Sequence, residues 1–335
     1  MKKILFIATA AAMIAGCAKV TTVDTGEPQE IAFEAYYYGT TKAPLDNSAE
    51  FPTDWNMLVH ALYDGDADNL HYFGEGGTSF TYDGSSVWHD ATTTRYWPAT
   101  GTLTFNAVAP TATIGGVTSF TDVTFNYGSG YDLSNITATL GDNSSNQTDV
   151  LVAKTAKSGK IQGDLPMTFK HALAQVVFKA ATADESQTIT IKNAVLKGSF
   201  QEGSITATPS ESDVTFAWNT EGKTAKDMNV CESANQQLTT AATEVGNPVL
   251  VVPIAALDDT QLLELTYDIT YPDGEASMTD VVATVALKVD GEAQATSWDA
   301  GKKYIYTLTF SGPREITIDP DVEDWVDQEV EVPGL

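Results

Sequence analysis

Cysteine is nearly missing from this chain. Cys17 and Cys231 are the two present, and if Cys17 is modified no internal disulfide can form. A disulfide-stapled mini-fold is thereby excluded, so stability has to come from buried apolar surface. Cys231 sits in no motif of reactive thiols and reads as an inert residue. Long apolar runs are scarce as well. Past residue 16, none approaches the ~20 residues a membrane-spanning helix needs. Long helical periodicity is nearly absent. Basic residues are few, 18 Lys and Arg against 45 Asp and Glu, for a formal charge of −27. Such a surface repels phosphates, which argues against nucleic acid and against anionic headgroups as partners. Also missing are a Gly-x-Ser-x-Gly elbow and any His-x-x-x-His or Cys-x-x-Cys pair with zinc spacing. The four histidines, His60, His71, His89 and His171, are scattered; His171 lies in an apolar alternating run and reads as a core residue. Nothing in these patterns supports catalysis or calls for a cofactor.

What is present begins at the amino end. Lys2 and Lys3 precede an apolar run, Ile4 to Ile14, closed by Ala15, Gly16 and Cys17. A basic start, a short apolar middle and small residues at the cut define a secretory signal. A cysteine directly after Ala-Gly is the bacterial lipoprotein signature. The expected signal is residues 1–16, and the expected mature chain starts at a lipidated Cys17, followed by a linker over 17–29. Two or more acyl chains hold such a protein at a membrane without spanning it. Losing Lys2 and Lys3 makes the mature chain two units more negative still.

The dominant pattern downstream is period two. Ile31, Phe33, Ala35 and Tyr37 alternate with Ala32, Glu34 and Tyr36; Leu103, Phe105 and Ala107 alternate with Thr104 and Asn106. Leu263 to Tyr271 and Tyr304 to Phe310 repeat the rhythm. These are strands with one buried face. Pro272-Asp273-Gly274 between 263–271 and 278–289 predicts a hairpin connection, and Asp83-Gly84 and Asp290-Gly291 are similar turns. Ala225–Glu244 is polar, lacks an apolar stripe and is expected to be a loop. Many short strands with Gly- and Pro-rich turns predict an all-β chain of sandwich type. The Gly- and Ser-bearing stretch 156–164 suggests a boundary near Gly163, giving domains over 30–163 and 164–335.

Two constellations invite a ligand. Asp64, Asp66, Asp68 and Glu75 fall at the first, third, fifth and twelfth positions of a calcium loop. The flanking segments read as strands rather than helices, so a solvated acidic turn is the plainer account and no metal is assigned. Tyr72, Phe73, Phe80, Tyr82, Trp88, Tyr96 and Trp97 are dense enough for a sugar platform, although aromatics over sandwich cores more often serve packing.

Three stretches in order carry a resemblance. They are Tyr96-Trp97-Pro98 with Gly101–Phe105 and Ala107–Pro110; Asp149–Ala153 with Phe169–Phe178; and Trp298–Gly301 with Tyr304–Leu308 and Trp325. Together with the lipoprotein signal they resemble the fimbrillin family, the type V pilins and associated subunits of Bacteroidales-type bacteria. The resemblance implies two tandem transthyretin-like β-sandwich domains, an outer-membrane lipoprotein precursor and a structural role in a surface fimbria that supports adhesion. It also implies assembly with other pilin subunits: a protease removes the first strand, and the last strand of a neighbour refills the groove.

On this chain the leaving strand would be Ile31–Tyr38. The cut would fall between Lys42 and Ala43, Lys42 being the one Lys or Arg between Lys19 and Arg95. The absence of arginine there departs from shaft pilins, and Pro44 disfavours cleavage, so an uncut anchor or tip-associated subunit stays open. The donor would be Val326, Gln328, Val330 and Val332, alternating with Asp327, Glu329 and Glu331. The same segment reads equally as the plain last strand of the second domain. The alternative function is a monomeric surface lipoprotein that binds a glycan or host ligand.

Overall fold

A computed structural model describes residues 28–37, 51–66, 70–85, 87–111, 124–127, 131–143, 147–271, 277–290, 295–312 and 315–325. Every helix or strand among them is a strand. The first ten are β1 (Phe33–Tyr37), β2 (Met57–Tyr63), β3 (Thr78–Tyr82), β4 (Trp88–Asp90), β5 (Leu103–Ala109), β6 (Thr124–Tyr127), β7 (Tyr131–Thr139), β8 (Leu151–Ala153), β9 (Ala156–Ser158) and β10 (Leu165–His171). Then follow β11 (Ala174–Thr182), β12 (Thr188–Ser199), β13 (Glu202–Pro209), β14 (Val214–Asn219), β15 (Lys226–Cys231), β16 (Gln236–Gln237) and β17 (Thr243–Glu244). The last are β18 (Val249–Val251), β19 (Leu262–Thr270), β20 (Met278–Ala286), β21 (Lys302–Phe310) and β22 (Ile316–Asp324).

The first sheet runs β2-β3-β4-β1-β10-β8-β5-β9, and β5 pairs back to β2, so its ladder closes on itself. All neighbours are antiparallel except β1 and β10, which run parallel from Phe33 opposite Leu165 to Tyr37 opposite Phe169. Closure removes the edges that would otherwise invite pairing. The period-two pattern sends one set of side chains inward: Ile31, Phe33 and Ala35, Met57, Val59 and Ala61, Leu103, Phe105 and Ala107, Leu165, Met167 and Phe169 form one buried cluster.

The second sandwich faces β17-β11-β21-β22 against β15-β12-β19-β20, with β18 added to β11 and β16 to β12. Its core takes alternate residues of β11, β12, β19 and β21. Again the first strand of the unit lies parallel to a late one, β11 beside β21, from Gln175 opposite Lys303 to Thr182 opposite Phe310. Trp298 is fully buried and donates its indole N–H to the Tyr306 hydroxyl at 3.0 Å. β19 and β20 pair antiparallel as the expected hairpin, its turn at 272–274 lying outside the described residues.

A third layer was not legible beforehand. A four-stranded sheet, β14-β13-β7-β6, joins strands of both halves through the β7–β13 ladder. Ile136, Ile205 and Ala207 from this sheet share a buried cluster with Val108 and Val152 of the first sheet, with Val150 just before β8, and with Leu250 and Val252.

The first sheet also takes in β10, which lies beyond the boundary expected at Gly163. Gly163, at φ 99°, belongs to the turn between β9 and β10. Ala172 and Leu173, both fully buried, connect β10 of the first sheet to β11 of the second sandwich. A Gly-rich stretch marks a turn as readily as a linker. The stretch 225–244 likewise departs from a loop. It holds β15, β16 and β17, and Met228 and Val230 enter the second core.

Candidate functional site

β1 is seated in a slot of the first sheet. On one side it makes five parallel pairs with β10; on the other, one pair joins Phe33 to Trp88 of β4. Of the two alternating sets, Ile31, Phe33 and Ala35 point inward, at 0%, 0% and 6% exposure. The slot is held from a turn after β4. The Asp90 carboxylate accepts the N–H groups of Thr92 and Thr93 at 2.9 and 3.1 Å and Arg95 Nε at 2.8 Å. Burial opposes the charge on Asp90, yet the Arg95 guanidinium and the Thr92 and Thr93 donors outweigh it and hold the carboxyl well below its usual range. Arg95, so placed, accepts the Ile31 N–H on its carbonyl at 2.7 Å. Lys42 and Ala43 lie outside the described residues.

The carboxy-terminal side is a different kind of element. β22 is the outermost strand of its sheet, paired to β21 from Phe310 opposite Ile316 to Lys302 opposite Asp324. Pro320 removes a donor from that edge, and Asp319, Asp321, Glu323 and Asp324 charge it, which blunts casual pairing. Trp325 follows directly. Its N–H donates to the Gly301 carbonyl at 2.9 Å, and Gly301 in turn donates to Leu173 at 2.8 Å. Gly301 needs its positive φ of 70° to make this turn. The Trp325 ring lies flat on His171, centroids 3.8 Å apart and planes 9° apart. His171 Nδ1 contacts Asp149 Oδ2, and both residues are almost completely buried, at 3% and 1% exposure. Asp149 Oδ1 also accepts the Val150 N–H at 2.6 Å. Asp149, His171 and Trp325 thus form one stack at the junction of the two halves, which the sequence did not bring together. Val326, Gln328, Val330 and Val332 lie outside the described residues.

A family model described as fimbrillin-like matches residues 32–325. The chain belongs to the fimbrillin-like family. Solved structures agree at the level of fold. A protein of Bacteroides uniformis, assigned to cell adhesion by name, has a TM-score of 0.51 and 16% identity, covering 91% of this chain and 100% of its own. One of Bacteroides ovatus, with the same assignment, has a TM-score of 0.51 and 15% identity, covering 90% and 100%. Among curated proteins no relative matches.

In this fimbrillin-like chain most residues singled out for ligands are structural. Phe73, Phe80, Trp88 and Trp97 are buried in the first core. Tyr96 is 46% exposed, and its carbonyl accepts the Tyr72 hydroxyl at 2.7 Å. Asp64 ties the end of β2 to the segment before β5, its carboxylate accepting the Thr102 N–H at 2.6 Å. Asp68 lies outside the described residues, and among those described no group of three His, Cys, Asp or Glu is placed to hold a metal ion. Cys231 is half-buried, and burial pushes its thiol up. Cys17 is outside the described residues.

His60 has a measurable consequence. It is fully buried on the outward face of β2, with Nε2 3.2 Å from His71 Nδ1. Burial first, and His71 second, lower its pKa from 6.5 to about 4. Between these values the unfolded chain binds more protons than the folded one, so stability is complete above pH 6.5 and falls as the pH drops toward 4. The loss expected at the lower limit is on the order of 3 kcal/mol. Urea denaturation at pH 7 and pH 4.5 checks it: the wild type loses stability, and His60→Gln loses clearly less over the same interval. Equal pH dependence in the two would assign the acid sensitivity elsewhere.

Proposed function

We propose that this chain is a structural subunit of a cell-surface fimbria, exported as an outer-membrane lipoprotein through Cys17 and joined to other pilin subunits by strand addition. The observation that carries this reading is the seating of β1. It is a short strand whose Ile31, Phe33 and Ala35 side chains enter the core, with five ladder pairs on one side and one on the other. Taking it out uncovers Phe80, Phe105 and Phe169 along a slot with unpaired backbone on both walls. Such a slot is a template for a strand from another chain.

The terminal segment has the matching pattern. Val326, Val330 and Val332 supply apolar side chains toward a core, and Asp327, Glu329 and Glu331 the opposite face. In this proposal each unit is one sandwich, 30–171 and 174–325, joined at Ala172–Leu173. Cleavage between Lys42 and Ala43 would release β1; an uncut chain anchored at Cys17 would suit the base or tip of the fibre.

The test is a tail variant. Val330→Asp with Val332→Asp is expected to abolish polymers in cells while the purified protein keeps its circular dichroism spectrum. Mass spectrometry on the wild-type surface protein locates the mature end: Ala43 identifies the cut form and a lipid-blocked Cys17 the uncut one. Polymers of normal length from the double variant would end the strand-addition account.

A further inference from the structure

β20 is the last strand of its sheet: among the described residues the order β15-β12-β19-β20 ends on it. A bulge marks its start, where Asp280, at φ 53°, donates its N–H to the Asp268 carboxylate at 2.9 Å. From Val281 opposite Tyr267 to Ala286 opposite Leu262 the ladder then runs without a shift. Leu287, the next residue, donates its N–H to the Gln261 carbonyl at 3.0 Å. Backbone groups alternate sides along an antiparallel strand. The odd residues therefore face β19, and Val282, Thr284 and Ala286 turn their N–H and C=O groups to the outer edge.

Such edges are commonly guarded by charge or proline, as Pro320 and four acids guard β22. Val281–Ala286 has neither. Val282 is 60% exposed, the most exposed large hydrophobic side chain among the described residues. Copies of a chain charged at −27 repel one another over most of their surface, and a neutral apolar edge is where they can approach. The flanking charges are of opposite sign. Asp280 stands on one side, 2.7 Å from Lys192, and Lys288 on the other, 3.9 Å from Asp290.

We propose that β20 docks a second copy of this chain, the two β20 strands pairing antiparallel about a two-fold axis at Thr284. In that register Val282 of each copy stands opposite Ala286 of the other, and Thr284 opposite itself. All are residues whose backbone groups face outward, so each pair exchanges both of its N–H···O bonds. Lys288 of each copy falls at the level of Asp280 of the other, where opposite signs attract. Moving the axis to Val285 would set Asp280 against Asp290, and moving it to Ala283 would leave Asp280 and Lys288 facing uncharged residues, so the charges select Thr284. The contact uses the same patch on both copies and closes on itself. It is independent of strand addition, since it involves neither β1 nor residues 326–335.

The test is analytical ultracentrifugation of the mature full-length protein, carrying Cys17→Ser, over a wide range of concentration. A monomer–dimer equilibrium is expected. Val282→Lys adds an ammonium diagonal to Lys288 of the other copy, and the two-fold repeats it. With an unchanged circular dichroism spectrum, it is expected to weaken the dimer roughly tenfold or more. Directly opposed residues of a hydrogen-bonded pair stand about 5.5 Å apart at Cα, within disulfide reach. Thr284→Cys is therefore expected to cross-link two copies on air oxidation. Val282→Cys, which meets Ala286 instead of its own counterpart, and the parent with Cys231 alone are not. The dimer is expected to persist in Val330→Asp with Val332→Asp. A monomer at every concentration, a dimer indifferent to Val282→Lys, or cross-linking through Val282→Cys rather than Thr284→Cys would each overturn the proposal. So would loss of the dimer on removal of residues 326–335, because the tail would then be the strand that joins the copies.

Discussion

Replacing Phe33 with alanine is expected to cost the first sandwich about 3–5 kcal/mol. The ring is fully buried and meets Phe80 at 4.9 Å and Phe105 at 5.1 Å, both edge to face. Truncation removes the transfer energy of the ring and both aromatic contacts, and leaves a cavity that a closed ladder cannot collapse around. Glu34, the next residue, faces outward, and Glu34→Ala is expected to cost about 1 kcal/mol or less. Urea denaturation of the two variants gives the comparison. Similar midpoints would mean that β1 is not part of the core, and the idea of a subunit made incomplete by its removal would lose its energetic basis. A large gap defines what an incoming strand has to restore. Valine buries less area than phenylalanine or isoleucine, so under the strand-addition proposal a donor bearing Val326, Val330 and Val332 would regain part of that energy through side chains and the rest through backbone pairing.

The individual strands were legible because their evidence is local. Phe33 to Tyr37, Leu103 to Ala109, Leu262 to Thr270 and Lys302 to Phe310 alternate cleanly, and all four are strands. Pairing was not legible, because nothing in a strand states its partner. The parallel neighbours β1 with β10 and β11 with β21 are separated by more than a hundred residues of sequence. The sheet built from β6, β7, β13 and β14 depends on a meeting between residues 131–139 and 202–209 that no composition signal announces. The stretch 225–244 was misread because Met228 and Val230 form too short an alternation to stand out among polar neighbours. Its burial comes from the long strand β12, against which β15 pairs.

The site divided in the same way. His171 was recognisable as a core histidine from its place in an apolar run. Asp149 and Trp325 were each recognisable as part of an ordered set of motifs. Their convergence was not, since 22 residues separate His171 from Asp149, and Trp325 arrives from the far end of the chain. Lys154 after β8, Lys170 in β10 and Lys302 in β21 line one cavity, yet each in isolation reads as a solvated charge.

His171→Leu is expected to cost about 3–5 kcal/mol, more than its loss of size explains. Leucine fills much of the same volume but removes the imidazole that faces the Asp149 carboxylate, leaving a buried charge without that partner. Asp149→Asn keeps an oxygen able to accept from Nδ1 and is expected to cost about 1–3 kcal/mol. Combining His171→Leu with Asp149→Leu removes both polar groups, so the double variant should be more stable than His171→Leu alone. Denaturation of His171→Leu, Asp149→Leu and the double variant closes the cycle, and simple additivity would show that the pair is not coupled. The same change removes the surface on which Trp325 lies flat. Trp325 is 4% exposed, and its backbone N–H donates to the Gly301 carbonyl. Tryptophan fluorescence should shift to the red in His171→Leu as Trp325 gains water, and proteolysis should reach the segment after it sooner. In the intact chain, Asp149 and His171 therefore hold Trp325 in place at the end of β22.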